Sequence, residues 1–270
     1  MRQVRPKKNL GQHFLTDLSI AKRIADTVDV RADLPVLEIG PGMGVMTQFL
    51  LEKPQELRVV EIDRESVAYL QANFPKLEGR IVSGDFLRMD LNEVFEGREF
   101  LLTGNYPYDI SSQIFFKMLD YRRLIPCCTG MIQREVAERI ASKPSTKAYG
   151  ILSVMIQTWY DVDYLFTVDE HVFNPPPKVK SAVIRMSRNT RQELGCNEAL
   201  YKKVVKTTFG QRRKMLRVSL RQLFNQQSLP RQDFFNQEIM TKRPEQLTIE
   251  QFITLTNMVE HELQSEIRTT

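Results

Sequence analysis

The sequence predicts a doubly wound α/β fold: a mostly parallel sheet with helices on both faces, an antiparallel pair closing one edge, and a small helical domain after it. Three observations carry this expectation. Short apolar runs alternate with helix-period stretches from about residue 17 to residue 186, the pattern of repeated strand–helix units. Strand candidates then stop, and the remainder reads as helical and basic. The length of 270 residues suits one large domain plus a small one.

Residues 35–39, Pro-Val-Leu-Glu-Ile, give the first strand and residues 45–52 a helix. Residues 57–62 give the second strand and 64–73 the helix that follows. A shorter strand falls at 80–83. Residues 100–103 form the next strand, ahead of a helix at 110–119. A strand at 128–133 leads into helices at 134–141 and 150–159. Residues 161–168 and 181–186 supply the closing antiparallel pair. Thr248-Ile-Glu-Gln251 is a capping box that opens a last amphipathic helix. The expected domains are therefore 1–186 and 187–270.

With 42% hydrophobic residues the chain can bury a sizeable core, and its net charge of +5 points to a polyanionic partner. The charge is unevenly spread. Residues 1–16 carry Arg2, Arg5, Lys7 and Lys8 with no acid. Residues 200–232 carry Lys202, Lys203, Lys206, Arg212, Arg213, Lys214, Arg217, Arg221 and Arg231, again with no acid. Clusters of this kind are the footprint of phosphate binding, although a solvated charged face has the same composition. Cys127, Cys128 and Cys196 form no C-x-x-C pair. Neither a disulfide framework nor a zinc site is expected, and a reducing compartment is. The apolar runs are too short to span a bilayer.

Glu38-Ile-Gly-Pro-Gly-Met-Gly44 follows the first strand directly. Gly40, Gly42 and Gly44 permit a sharp turn and a close approach to a ligand. A dinucleotide fingerprint needs a third glycine where Val45 stands, which disfavours a nicotinamide oxidoreductase. No Walker-type phosphate loop occurs. An ordinary strand-to-helix turn has the same glycines, so the acids at the next two strand ends matter. Glu61 can accept from both hydroxyls of a ribose. Asp85 can accept from an adenine amine, with Phe86 beside the ring. At the fourth strand end stands Asn105-Tyr106-Pro107-Tyr108: an amide, a rigid turn and an aromatic ring at the sheet edge where ligands bind. This set suits gripping a flat base by its face while an amide oxygen and a backbone carbonyl hold its amino group.

Taken together these residues resemble the ribosomal RNA adenine N6,N6-dimethyltransferases, within the class I S-adenosylmethionine-dependent methyltransferases. The matching elements run in order along nearly the whole chain: Leu10-Gly-Gln-His-Phe-Leu15, Glu38–Gly44, Val60-Glu-Ile-Asp63, Gly84-Asp85, Asn105–Tyr108, Phe173-Asn-Pro-Pro-Pro-Lys-Val179 with Ser181, and Phe209-Gly-Gln-Arg-Arg-Lys214. The resemblance implies a Rossmann-like sheet and S-adenosylmethionine as cofactor. It places His13, Leu15, Gly40, Gly42, Glu61, Ile62, Asp85, Phe86 and Asn105 at the cofactor. Tyr108 and Phe173 become the pair that sandwiches a flipped adenine, and the prolines at 175–177 are read as holding the Phe173 ring at the pocket mouth. Arg212, Arg213 and Lys214 become RNA contacts. Two positions depart from the family: His13 stands where asparagine is usual, and Tyr106 where leucine is usual. The contact implied at 106 is its main-chain carbonyl.

The implied activity is N6,N6-dimethylation of adjacent adenosines in a hairpin loop near the 3′ end of small-subunit (16S) ribosomal RNA. The implied partner is the small ribosomal subunit, and the expected enzyme is cytoplasmic, monomeric and independent of metal. Two rivals share the fold: a large-subunit methyltransferase conferring antibiotic resistance, and a nucleic-acid-binding relative that has lost catalysis. The segment 209–214 favours the small-subunit enzyme over the first, and the intact Asn105–Tyr108 set speaks against the second.

Overall fold

The structure, a computed structural model, describes Lys7, residues 13–224 and residues 232–267. Arg2, Arg5, Lys8, Leu10, Gly11, Gln12 and Arg231 lie outside the described residues. Two compact units divide the chain, Met1–Glu138 with Tyr160–Asn189, and Arg139–Trp159 with Thr190–Thr270.

The first unit carries β1 (Phe14–Leu15), β2 (Val36–Ile39), β3 (Leu57–Glu61), β4 (Ile81–Ser83), β5 (Leu101–Gly104), β6 (Cys127–Gln133), β7 (Tyr160–Val168), β8 (Phe173–Asn174) and β9 (Ser181–Arg188). Seven strands lie in the order β4-β3-β2-β5-β6-β9-β7. The run from β4 to β6 is parallel. β9 is antiparallel to both β6 and β7, so the expected closing pair is present with its later strand on the inside. β2 and β5 are buried along their whole length, which explains their near-continuous apolar sequences. β7 forms an edge and alternates accordingly, with Asp161 and Asp163 facing outward.

The helices of this unit are α1 (Leu18–Ala25), α2 (Thr47–Leu50), α3 (Arg64–Asn73) and α4 (Ser111–Asp120), and the chain leaves it within α5 (Arg134–Ala141). Asp17 caps α1, its carboxylate accepting from the Ser19 amide at 2.8 Å. One core joins Ile24, Leu50 and Leu70 of these helices to Val36, Val59, Leu101, Met131 and Val183 of the sheet. Strand order reverses between β2 and β5, and a crevice opens at their carboxyl ends. β1 and β8 form a separate two-stranded sheet, Leu15 opposite Phe173.

The second unit contains α6 (Ile151–Gln157), α7 (Glu198–Gly210), α8 (Leu216–Ser219), α9 (Gln232–Asn236) and α10 (Ile249–Ile267). Its membership differs from a single cut after residue 186, because Arg139–Trp159 belongs here. The reason is apolar: α6 buries Leu152, Val154, Met155 and Ile156, too many faces for a helix on a sheet surface. The Tyr149 hydroxyl donates to the Leu247 carbonyl at 3.0 Å, and Thr158 and Tyr201 share a buried hydrogen bond. Phe209 packs between Tyr149 and Phe252. The Thr248 capping box is formed: Gln251 Oε1 accepts from the Thr248 amide at 3.0 Å, and Thr248 Oγ1 accepts from the Gln251 amide at 3.2 Å.

Candidate active site

The crevice is built from the turns that follow β2, β3, β4 and β5. The first turn is set by its glycines. Gly44 has φ of +78°, and a Cβ there would lie 2.5 Å from the Phe74 ring. Gly42 has φ of +56° and lies under Phe14, whose ring would be 3.1 Å from an added Cβ. Both the backbone conformation and the space require glycine.

Glu61 ends β3 with its side chain buried. Its Oε2 accepts from the Gly42 amide at 3.0 Å and its Oε1 from the Asp63 amide at 2.9 Å. Burial pushes its carboxyl up despite those two amides. Ile62 beside it is 53% exposed and lines the same cavity. Asp85 lines the wall with Phe86, one oxygen accepting from the Leu87 amide at 2.9 Å.

Asn105 and Tyr106 are pinned by main chain. Asn105 bridges to Met131, and the Tyr106 amide donates to the Met131 carbonyl at 3.0 Å. The Asn105 side-chain nitrogen donates to the His13 carbonyl at 3.2 Å, which turns Oδ1 the other way. Neither that oxygen nor the Tyr106 carbonyl accepts a hydrogen bond from another described residue. The departure at 106 is absorbed by the core. The Tyr106 hydroxyl donates to the Thr129 carbonyl at 2.8 Å, and its ring meets Phe115 edge-on. Gly130 makes the room, since a Cβ there would stand 2.6 Å from the Tyr106 ring.

The aromatic pair differs from expectation. Tyr108 lines the cavity, its hydroxyl bonded to Ser181. Phe173 does not: it is 4% exposed and sits in the hydrophobic core with Leu15, Ile24 and Val168. Its ring is buried in that core and is not part of the cavity wall, so the prolines at 175–177 do not hold it at the mouth. The ring that stacks on Tyr108 is His13, with centroids 5.5 Å apart and planes at 28°. His13 Nδ1 is 2.8 Å from the Pro175 carbonyl. His13 and Leu15 both line the cavity.

Among the described residues the cavity wall holds three carboxylates, Glu38, Glu61 and Asp85, and no lysine or arginine. Burial pushes the Glu38 carboxyl up to about 8; the Thr47 hydroxyl opposes this and the nearby Glu61 adds to it. Asp85 faces Arg88 at 3.4 Å and Glu38 is held toward its neutral form, so the buried Glu61, bonded to the Gly42 and Asp63 amides, is the acid that suits a ligand bringing its own positive charge. A sulfonium nucleoside with an ammonium group is such a ligand. Ile62 and Phe86 offer apolar surface for an adenine, and Glu61 offers acceptors for ribose hydroxyls, so the residues present fit S-adenosylmethionine.

In the second unit, Arg212, Arg213 and Lys214 follow α7. Arg212 is partly committed, donating to the Thr146 carbonyl at 3.2 Å with Glu245 at 4.0 Å. Arg213 and Lys214 are exposed. At the other end of the chain Lys7 pairs with Asp63 and Glu65.

Several wall residues were not singled out from the sequence, among them Glu38, Phe14 and Ile110. Glu38 is an acid inside an otherwise apolar strand, a signal available in the sequence. Phe14 lies between His13 and Leu15, but its contact with Gly42 depends on the β1–β8 pairing. Ile110 follows the Asn105–Tyr108 set and reads as ordinary helix packing.

Comparison with known proteins agrees with this geometry. The family described as Ribosomal RNA adenine dimethylase matches residues 3–261. The chain is 64% identical over 263 residues to ribosomal RNA small subunit methyltransferase A of Phocaeicola vulgatus, covering 97% of this chain and 92% of that one. It is 62% identical over 265 residues to the protein of the same name from Bacteroides thetaiotaomicron, covering 98% of each. A dimethyladenosine transferase from Plasmodium falciparum shares the fold at a TM-score of 0.75 and 22% identity, over 94% of this chain and 98% of that one. The 23S rRNA methyltransferase ErmE aligns at a TM-score of 0.62 and 27% identity, over 92% and 99%. This chain belongs to the ribosomal RNA adenine dimethylase family.

Proposed function

We propose that the protein transfers two methyl groups from S-adenosylmethionine to N6 of each of two adjacent adenosines, in a hairpin loop near the 3′ end of small-subunit (16S) ribosomal RNA. The observation that carries this reading is the pair of unengaged acceptors, Asn105 Oδ1 and the Tyr106 carbonyl, held rigidly at the crevice. Two acceptors on consecutive residues of the cavity wall correspond in number to the two hydrogens of an exocyclic amine.

The N6 lone pair is conjugated with the adenine ring and is a poor nucleophile. Accepting both amine hydrogens draws the nitrogen out of the ring plane and aims its lone pair. The bound cofactor supplies a methyl group already activated by its sulfonium, so positioning and electrostatics suffice. With the cofactor bound, N6 would take the methyl group as the carbon–sulfur bond breaks, the bond's electrons staying on sulfur and the N6 proton leaving to solvent. Tyr108 offers a stacking surface for the extruded base, worth roughly 1–3 kcal/mol against an unstacking cost of a few kcal/mol.

Curated relatives at 60–64% identity carry the small-subunit name, which supports that substrate over large-subunit RNA. Arg212, Arg213 and Lys214 serve as phosphate contacts that fix position. On this reading the enzyme works as a cytoplasmic monomer during subunit assembly. Among the described residues no helix is long and apolar enough to cross a membrane. The test is mass spectrometry of RNA from unmethylated small subunits and from large subunits after incubation with labelled cofactor. Dimethyladenosine in small-subunit RNA is expected; equal labelling of large-subunit RNA would overturn the assignment.

A further inference from the structure

Glu61 is held through its neighbour. Its Oε1 accepts from the Asp63 amide, and Asp63 is itself buried. The Asp63 carboxylate accepts from Lys7 Nζ at 2.5 Å, from Ser66 Oγ at 2.9 Å and from the Glu65 amide at 3.4 Å. Lys7 also lies 3.2 Å from Glu65. Among the described residues, Lys7 is the cation that pairs with Asp63.

We propose that Lys7 is a positioning residue of the cofactor site, acting through Asp63 to keep the Glu61 carboxylate ionised and aimed at the ribose. The proposal rests on the ribose reading of Glu61. The charged and titratable groups around this point are Glu61, Asp63, Glu65, Glu38, Asp85, His13 and Lys7. Acids outnumber bases, and two of the closest acids are buried. Burial pushes the Asp63 carboxyl up, but Lys7 and Ser66 outweigh it and hold it below the usual range. Burial also raises Glu61, and the Asp63 charge adds to that rise. Without Lys7, Asp63 has three responses. It can stay ionised and repel Glu61, it can move toward water and carry off the amide that orients Glu61, or it can take up a proton. The first two lower affinity for a ribose diol; the third relieves Glu61 and leaves affinity near wild type, the outcome that overturns the proposal.

The experiment is calorimetric titration of S-adenosylhomocysteine, and of its 2′,3′-dideoxyribose analogue, from pH 5.5 to 8.5. The proteins are wild type, Lys7→Met, Lys7→Arg, Glu61→Gln and the Lys7→Met/Glu61→Gln double variant. Lys7→Met is expected to weaken the natural ligand about three- to tenfold at pH 7. It should also move upward the pH at which affinity falls away. Lys7→Arg should restore most of both. The double variant should bind no worse than Glu61→Gln alone, and the dideoxy analogue should not distinguish Lys7→Met from wild type. Wild-type affinity of Lys7→Met across the range, or full additivity in the double variant, would overturn the role of Lys7. If Glu61→Gln itself bound normally, the ribose reading would be the part that failed.

Discussion

The imidazole of His13 lies on the ring of Tyr108, with centroids 5.5 Å apart and Nδ1 anchored to the Pro175 carbonyl. One face of the Tyr108 ring, the proposed stacking surface for the base, is thus already braced by protein. His13→Ala removes the brace and leaves the main-chain carbonyl that holds Asn105. An aromatic pair contributes about 0.5–1.5 kcal/mol, so single-turnover methyl transfer at saturating cofactor should fall about two- to tenfold. An unchanged rate would show that the imidazole does not support Tyr108.

Asn105→Ala should abolish most turnover while RNA and cofactor affinity persist. Loss of one oriented group typically costs on the order of a hundredfold in rate. Near-normal single-turnover kinetics in a folded variant would remove Asn105 from the mechanism.

Glu38 should make stability depend on pH. Its ordinary value of 4.5 in the unfolded chain rises to about 8 in the fold, so the native state holds the proton more tightly. The stability this confers is complete below pH 4.5 and is lost as pH rises through about 8. Glu38→Gln cannot ionise, and its melting temperature should fall less than that of wild type between pH 5 and pH 8.5. Parallel melting curves across that range would contradict the buried, proton-holding state of Glu38.

Replacing Arg213 and Lys214 with alanine should flatten the salt dependence of binding to small-subunit RNA. Each lost phosphate contact lowers the log–log slope by about 0.7–0.9. Arg212→Ala should change the slope less, because Thr146 and Glu245 already engage that side chain. Cofactor affinity should stay constant in both variants. An unaltered slope in the Arg213/Lys214 variant would reduce this segment to a solvated face.

Where local signals are complete, the sequence is legible to the residue. α3 runs from 64 to 73 as read, because Asp63 caps it and Phe74-Pro75 ends it. The helix expected at 45–52 shrinks to Thr47–Leu50, since the glycine turn continues through residue 46. Glu61, Asp85 and Asn105, which the structure brings to one cavity wall, stand at strand ends, where short-range pattern is strong. Phe173 differs: it is buried in a core assembled from residues distant in sequence, Leu15, Ile24 and Val168 among them, which no periodicity reveals. The membership of 139–159 is equally non-local, fixed by Tyr149 and Tyr201 meeting partners far away in sequence.

The pairing of β1 with β8 bears on the order of events during synthesis. Asn105 meets His13 across 92 residues, and Leu15 waits for Phe173. A nascent chain that has emerged only as far as α4 possesses the glycine turn, Glu61 and Asp85 but lacks β8, the strand paired with Phe14 and Leu15. On the proposed cofactor assignment, the expected order is emergence of residues 173 and 174 from the ribosome first and cofactor capture second.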